Sequence, residues 1–320
     1  MRERSPALLH SFFEAVREEL GHPASLCRML AAYPHIRVNL DDPVPCIHAG
    51  SVPRWHELGK YSPLSWPRHQ RGSLMGWHTS GGVWQSFSVT RPEYAEIARC
   101  KIEQSWTCDV TDIDGFAASK ADLSAFATTD AMAEARCQWL ISEVTLDQLA
   151  KSLAHKEIRI IHNPGGTDHF GRYLWDGRLW LMNDGGSHHT AAAKYLAARL
   201  GQRVPLRGRR YTYSLNALAI ASLRRDYEMF AINCQDNEAT NAFAEAMRAF
   251  RATWLWHPLP RPYEGARAVL LPRDEGRSMR VAVELRSAGV VDLGAHLTAL
   301  CARQHSQGDG KESLSGDGSL

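Results

Sequence analysis

The sequence predicts a mixed α/β fold of the α+β kind. Three observations carry that prediction. Apolar residues recur at helical spacing in several capped segments. Short runs rich in β-branched and aromatic residues lie between those segments. One alternating run, "HFGRYLWDGRLWLMND", is divided by Asp176-Gly177, a strong hairpin signal.

Taken in order, residues 6–32 read as helical, with Leu8, Leu9, Phe12, Phe13, Val16 and Leu20 on one face. A break is expected at Gly21-His22-Pro23. "HIRVNL" (35–40) reads as a short strand. Residues 49–82 are rich in Pro, Gly, Ser, Trp and His and carry no period, so a long loop anchored by Trp55, Trp66 and Trp77 is expected. "VWQSFSV" (83–89) is a strand, and Pro92 opens a helix over "RPEYAEIARCKIEQ". "SKADLSAFA" is a helix capped by Ser119. Asp109, Asp112 and Asp114 before Gly115 read as turn chemistry, because the terminal glutamate of a calcium loop is missing.

From residue 142 the signals sharpen. "SEVTLDQLAKSLAHK" is a helix with Thr145 as N-cap, and "EIRIIHN" (157–163) is a strand. "NPGG" (163–166) is a turn, followed by the Asp176-Gly177 hairpin. Gly-Gly-Ser-His-His then leads into the helix "TAAAKYLAARL", stopped by Gly201. "RVPLRGRRYTYSL" (203–215) is a strand. The last third reads as helix "SLNALAIASLRR", strand "YEMFAI", helix "DNEATNAFAEAMRAFRATW", hairpin "ARAVLLPRDEGRSMRVAVEL" and short helix "DLGAHLTALCARQ". "ATWLWHPLPRPY" reads as core edge and connector. From His305 the composition predicts a disordered tail. Sequence-based regions are therefore 1–140, 141–216, 217–304 and the tail 305–320.

The chain has 320 residues, 44% hydrophobic and 22% charged, which is enough to bury a sizeable core. A net charge of +2 provides no global attraction to nucleic acid or an acidic membrane. None of the seven cysteines stands at C-x-x-C spacing, which argues against a disulfide framework or a zinc ribbon. Reduced thiols in a cytoplasmic protein are expected. No apolar run reaches the roughly 20 residues of a membrane span. "MRERSPALLHSFFEAVREELG" lacks the apolar core of a signal peptide. No membrane partner is expected.

The Gly-Gly-Ser-His-His turn carries the chemistry. A helix N-terminus leaves backbone N–H groups unpaired and has a partial positive charge. Glycines before it let the backbone approach a ligand closely. Asp184, Gly185, Gly186 and Ser187 are therefore candidates for holding an anion, above all a phosphate. His188 and His189 are candidates for proton transfer or charge stabilisation. Asp168 and His169, in the polar cluster after the strand at 157–163, are further acid–base candidates. No residue is assigned to a resident metal. A plain strand-to-helix turn is the competing interpretation of the same residues.

The order of these elements resembles the ParB/sulfiredoxin-like domain. "TLDQLAKSLAHKEIRIIHN" matches the helix and strand that open it, and "LMNDGGSHHTAAAKYLAARLGQRVPL" matches its glycine turn, helix and next strand. The resemblance spans about residues 142–216. It implies a ParB/sulfiredoxin-like core elaborated at both ends, with a nucleotide pocket at the turn. Family members bind CTP or ATP, transfer phosphoryl groups, cut nucleic acid or reduce an oxidised cysteine. Ser187 stands where sulfiredoxin has its cysteine and where ParB has an acidic residue. His189 stands where both carry a phosphate-binding arginine; Arg172 and Arg178 are the nearest substitutes. No helix-turn-helix follows, which argues against a factor that reads a DNA sequence.

The expected function is a cytosolic nucleotide- or phosphate-binding enzyme of phosphoryl or nucleotidyl chemistry. It would use ATP or CTP, with or without Mg2+. One alternative is a nucleic-acid-associated protein or nuclease using the same turn. Another is a non-catalytic interaction protein whose Trp-rich segments dock a partner. The oligomeric state is left open.

Overall fold

The computed structural model describes residues 15–41, 44–60, 70–163 and 165–311. Four sequence expectations thus fall partly outside the described residues: the helix before residue 15, the loop at 61–69, the turn at Pro164, and the tail beyond Lys311.

In chain order, the first elements are α1 (Ala24–Ala32), β1 (Ser73–Ser80), β2 (Val83–Thr90), α2 (Pro92–Ala95), β3 (Ala98–Asp109) and β4 (Gly115–Phe116). Four helices follow: α3 (Thr129–Arg136), α4 (Gln138–Ile141), α5 (Leu146–Leu153) and α6 (Arg159–His162). Next come β5 (His169–Tyr173), β6 (Leu179–Met182), α7 (Ser187–Leu200), β7 (Pro205–Leu215) and α8 (Ala217–Asp226). The last are β8 (Tyr227–Asn233), α9 (Asn237–Ala249), β9 (Trp254–Pro258), β10 (Ala266–Pro272), α10 (Gly276–Ser287), β11 (Val291–Asp292) and α11 (Leu293–Lys311). The fold is α+β.

Two compact units form from interleaved segments. Unit 1 comprises Met1–Asp41, Arg54–Ala98 and Asn216–Ala302; unit 2 comprises Asp42–Pro53, Arg99–Leu215 and Arg303–Leu320. The sequence-based divisions at 216 and 304 fall beside unit edges, whereas the division at 140 falls inside unit 2. Unit 1 joins segments from the first and last thirds of the chain, which composition along the chain does not reveal.

Unit 1 holds a six-stranded sheet in the order β11-β8-β10-β9-β1-β2. Every neighbouring pair in it is antiparallel. Leu26 and Met29 of α1, Phe243 and Met247 of α9 and Val281 and Leu285 of α10 pack on Phe230, Ile232, Val269 and Trp254. These helix residues recur at three- and four-residue spacing, so each helix buries one stripe.

Unit 2 holds a five-stranded sheet in the order β3-β7-β5-β6-β4. β5 and β6 form the antiparallel hairpin, with Phe170 opposite Leu181. β7 runs parallel to β5, and β4 runs parallel to β6. Ala191, Ala192, Ala193, Leu196 and Ala197 of α7 are fully buried in the cluster that includes Phe170, Leu179 and Leu181. The alanines let the helix lie close to the sheet, and that closeness fixes where its N-terminus points.

Several elements differ from the sequence expectation. "HIRVNL" is not a strand: Pro34–Ile36 is a 3-10 turn, and only Arg37 bridges to Ile232. Pro34 sits at the start of that turn, where its fixed φ is favourable. The helix opened by Pro92 ends at Ala95, because the residues from Ala98 pair as the 12-residue β3. Trp106 packs there against Phe170, with ring centroids 5.3 Å apart. The expected strand at 157–163 is instead the single helical turn α6. Tertiary packing overrides β-branched propensity here: Ile158 and Ile160 are buried, and a Cβ at Gly208 of β7 would meet Ile160 Cδ1 at 2.5 Å.

"SKADLSAFA" makes only the 3-10 turn Leu123–Ala125, capped by Asp122 rather than Ser119. The last expected hairpin is half strand and half helix: β10 is followed by α10, capped by the Glu275 side chain. Val281, Ala282 and Leu285 give that segment its helical period. The 49–82 loop contains β1, and "ATWLWHPLPRPY" contributes the inner strand β9. The last helix continues past His305, as far as Lys311. Two local expectations agree. The chain breaks at Gly21-His22-Pro23, and Thr145 caps α5 by accepting from Gln148 N. Among the described residues, no helix is long and apolar enough to cross a membrane.

Candidate functional site

The site lies in unit 2, where β6 hands over to α7. β6 leads into the buried Asn183, whose amide fastens the turn. Its Oδ1 accepts from the N–H groups of Ala117 and Ala118 at 3.1 and 3.3 Å. Its Nδ2 donates to the carbonyls of Ala118 and Gly185 at 3.0 and 2.7 Å. The next two glycines take backbone angles that L side chains rarely adopt, φ 146° at Gly185 and 73° at Gly186. Gly186 is the N-cap of α7, in the left-handed region. A Cβ there would stand 2.4 Å from the Glu157 carbonyl oxygen, so glycine is required by space as well as by angle.

A glycine cap has no side chain to satisfy the first turn. The backbone N–H groups of residues 185–189 donate to no acceptor among the described residues. Five unbonded amides at the positive end of a 14-residue helix make a place for an anion. They line a cleft of about 620 Å³ together with Ala118, Ser119, Lys120, Trp139, His155 and Glu157.

Ser187 is the first helical residue, not the cap. Its hydroxyl donates to Ser119 Oγ at 2.8 Å, and its side chain is buried. The turn is thus tied to the loop that carries Lys120. His189 stacks on His155, with centroids 3.6 Å apart and planes within 10°. Its Nδ1 is buried and has no hydrogen-bond partner among the described residues. Burial, then the charges of His155 and His188, hold the His189 pKa below its ordinary value. Burial, Lys120 and Arg136 do the same for His188. Both rings are therefore neutral near pH 7. They can donate a hydrogen bond or accept a proton, but the fixed positive charge comes from Lys120 and Arg136.

The structure separates the remaining candidates. Asp184 lines the cleft, is largely exposed and pairs with Arg159 at 2.8 Å. Asp168 is buried behind the turn and accepts from the Asp184 N–H at 3.3 Å; burial raises its pKa. It braces the turn rather than lining the cleft. His169 turns to the Thr167 carbonyl and the Tyr211 ring. Arg172 pairs along β5 with Leu179 and Thr212. Neither His169 nor Arg172 lines the cleft. Arg178 is bound to Asp176 and to the Cys46 carbonyl, and its guanidinium lies over Trp180.

Four cleft residues escaped sequence reasoning: Lys120, Trp139, His155 and Glu157. Trp139 is 64% exposed, an unusual position for an indole. The Glu157 carboxylate comes to 3.9 Å of the place a Gly185 Cβ would occupy. No set of three or more His, Cys, Asp or Glu side chains among the described residues is arranged to hold a metal ion. Cys137, whose thiol donates to the His188 carbonyl, has its pKa pushed up to about 11 by burial. It is a protonated thiol, not a nucleophile.

An α+β chain with an open glycine-capped helix terminus belongs to a broad class, and the comparisons narrow it only to a family. The model of a family of unknown function, DUF6685, matches residues 103–308, and the chain belongs to that family. No curated protein and no solved structure matches it.

Proposed function

We propose that this protein is a nucleotide- or phosphate-binding enzyme that seats a phosphoryl group on the first turn of α7. The observation that carries the proposal is the row of unbonded N–H groups at 185–189, opening into a cleft that also holds Lys120. The exposed Trp139 offers a flat face for a base at the same cleft. Neutral His188 or His189 takes the proton of an attacking group, with Glu157 as the nearby carboxylate. A magnesium ion arriving with a nucleotide needs only one or two carboxylates, and Glu157 and Asp184 line the cleft. Asp168 positions the turn. His169 and Arg172 have no contact role in this scheme.

The ParB/sulfiredoxin-like assignment belongs to the same proposal. It is supported by element order: capped α5, the β5–β6 hairpin, the glycine turn into α7, and β7 parallel to β5. The helical turn α6, where the resemblance calls for a strand, counts against it. The nucleic-acid alternative gains little from β7. Arg207 donates to Ser105, Arg209 to the Gly166 carbonyl and Arg210 to Glu103.

The test is calorimetric titration with pyrophosphate, ATP, CTP and a short single-stranded DNA, each with and without Mg2+. Pyrophosphate and at least one nucleotide are expected to bind. Trp139→Ala should weaken the nucleotide about tenfold, the scale of one lost stacking contact, and leave pyrophosphate unchanged. Absence of binding by every phosphate compound refutes the proposal. Tight, salt-sensitive DNA binding without nucleotide binding transfers the site to the nucleic-acid alternative.

A further inference from the structure

Unit 1 carries a second, chemically different pocket. Sheet register builds it. Trp77 of β1 stands opposite Trp254 of β9, Met75 stands opposite Trp256, and Thr79 stands opposite Trp84 of β2. Residues two apart on a strand share a face, so all four tryptophans emerge on the same side of the sheet. Four of the chain's ten tryptophans meet here. Phe243 of α9 closes the floor, edge-on to Trp254 at 5.3 Å. The cavity measures about 310 Å³, which limits an occupant to one or two fused rings.

Three features set the chemistry of that occupant. Trp77 and Trp84 are stacked within 9° of parallel at the rim, and Trp77 is 37% exposed. They present an indole face that packing inside the unit does not consume. The indole N–H of the buried Trp254 has no acceptor among the described residues. Arg267 lines the pocket with its guanidinium 4.3 Å over the Trp256 ring, and no carboxylate among the described residues pairs with it. The other lining arginine, Arg248, lies 3.8 Å from Glu245. The pocket is therefore aromatic on its walls and carries one uncompensated positive charge. Cys234 also lines it, and burial raises its pKa, so it adds no negative charge.

We propose that this pocket binds a small planar aromatic carboxylate, with its ring against the indoles and its carboxylate on Arg267. A guanidinium already stacked on an indole is held in place for a charge-assisted hydrogen bond, and the apolar walls strengthen that bond by excluding water. The site is independent of the α7 turn.

The test is calorimetry on the full chain with 1-naphthoate and its neutral counterpart 1-naphthamide as probes. One naphthoate per chain is expected, with naphthamide about tenfold weaker or more. Arg267→Gln should bring naphthoate down to the naphthamide level. Trp77→Ala, at the partly exposed rim, should weaken both probes about tenfold, with unfolding curves checking that the variant is folded. No saturable naphthoate binding, equal affinity for the two probes, or full naphthoate affinity in both variants overturns the proposal. So does tighter binding of neutral cellotriose, which would mark the indoles as a sugar platform.

Discussion

Gly186→Ala is expected to destabilise unit 2 by about 2–4 kcal/mol and to abolish pyrophosphate binding. Two effects add. An L residue in the left-handed region costs about 1–2 kcal/mol. The new Cβ would also sit 2.4 Å from the Glu157 oxygen, 2.7 Å from its carbon and 2.9 Å from Ile158 N. All three are backbone atoms, so the Glu157–Ile158 segment leading into α6 must move away from the turn. Gly201→Ala separates the two effects. Gly201 ends the same helix at φ 64°, but a Cβ there meets nothing within 4 Å. That variant should lose only the conformational part, about 1 kcal/mol, and keep its ligand. Denaturant unfolding of both proteins checks the comparison. Equal losses would show that the contact with Glu157 does not constrain the turn.

Asn183→Asp is expected to cost about 2–4 kcal/mol at pH 7, although it changes the volume very little. The carboxylate keeps the two bonds it accepts from Ala117 and Ala118. The two bonds donated to the carbonyls of Ala118 and Gly185 become oxygen–oxygen repulsions in a buried place. Protonation restores one donor. The folded-state pKa of the new acid is thus raised above its unfolded value of about 3.9. Stability relative to wild type should be recovered below that unfolded value and lost as pH rises through the folded one. Unfolding curves at pH 4 and pH 7 measure this. A variant as stable as wild type at pH 7 would mean that Asn183 does not secure the turn.

The seam of the site was legible because it is local. Asp176-Gly177 specifies a hairpin, two glycines before a helical period specify an open cap, and Thr145 caps its own helix. Each signal lies within a few residues of what it controls. The walls of the cleft were not legible for the opposite reason. Lys120 arrives on a loop that Ser119 ties to Ser187, and Trp139 is exposed on the four-residue α4. His155 matters through a ring stack with a residue 34 positions away. No period or spacing reports such contacts. The failed strand at 157–163 has the same cause: Ile158 and Ile160 look like strand residues, but their burial is set by Gly208 and the glycine turn. In unit 1, β9 was hidden because Pro258 and Pro260 suggest a connector. They fall at and just beyond the strand end, where a missing N–H does little harm.

In the proposed function the amides of residues 185–189 hold a phosphate. Its most direct test is an amide ¹H–¹⁵N NMR titration of the deuterated protein with pyrophosphate. Saturable downfield proton shifts are expected, concentrated at Gly185, Gly186, Ser187, His188 and His189, with smaller changes at Lys120. Resonances of that turn that stay in place while pyrophosphate is added to excess, or shifts confined to other parts of the protein, would contradict it.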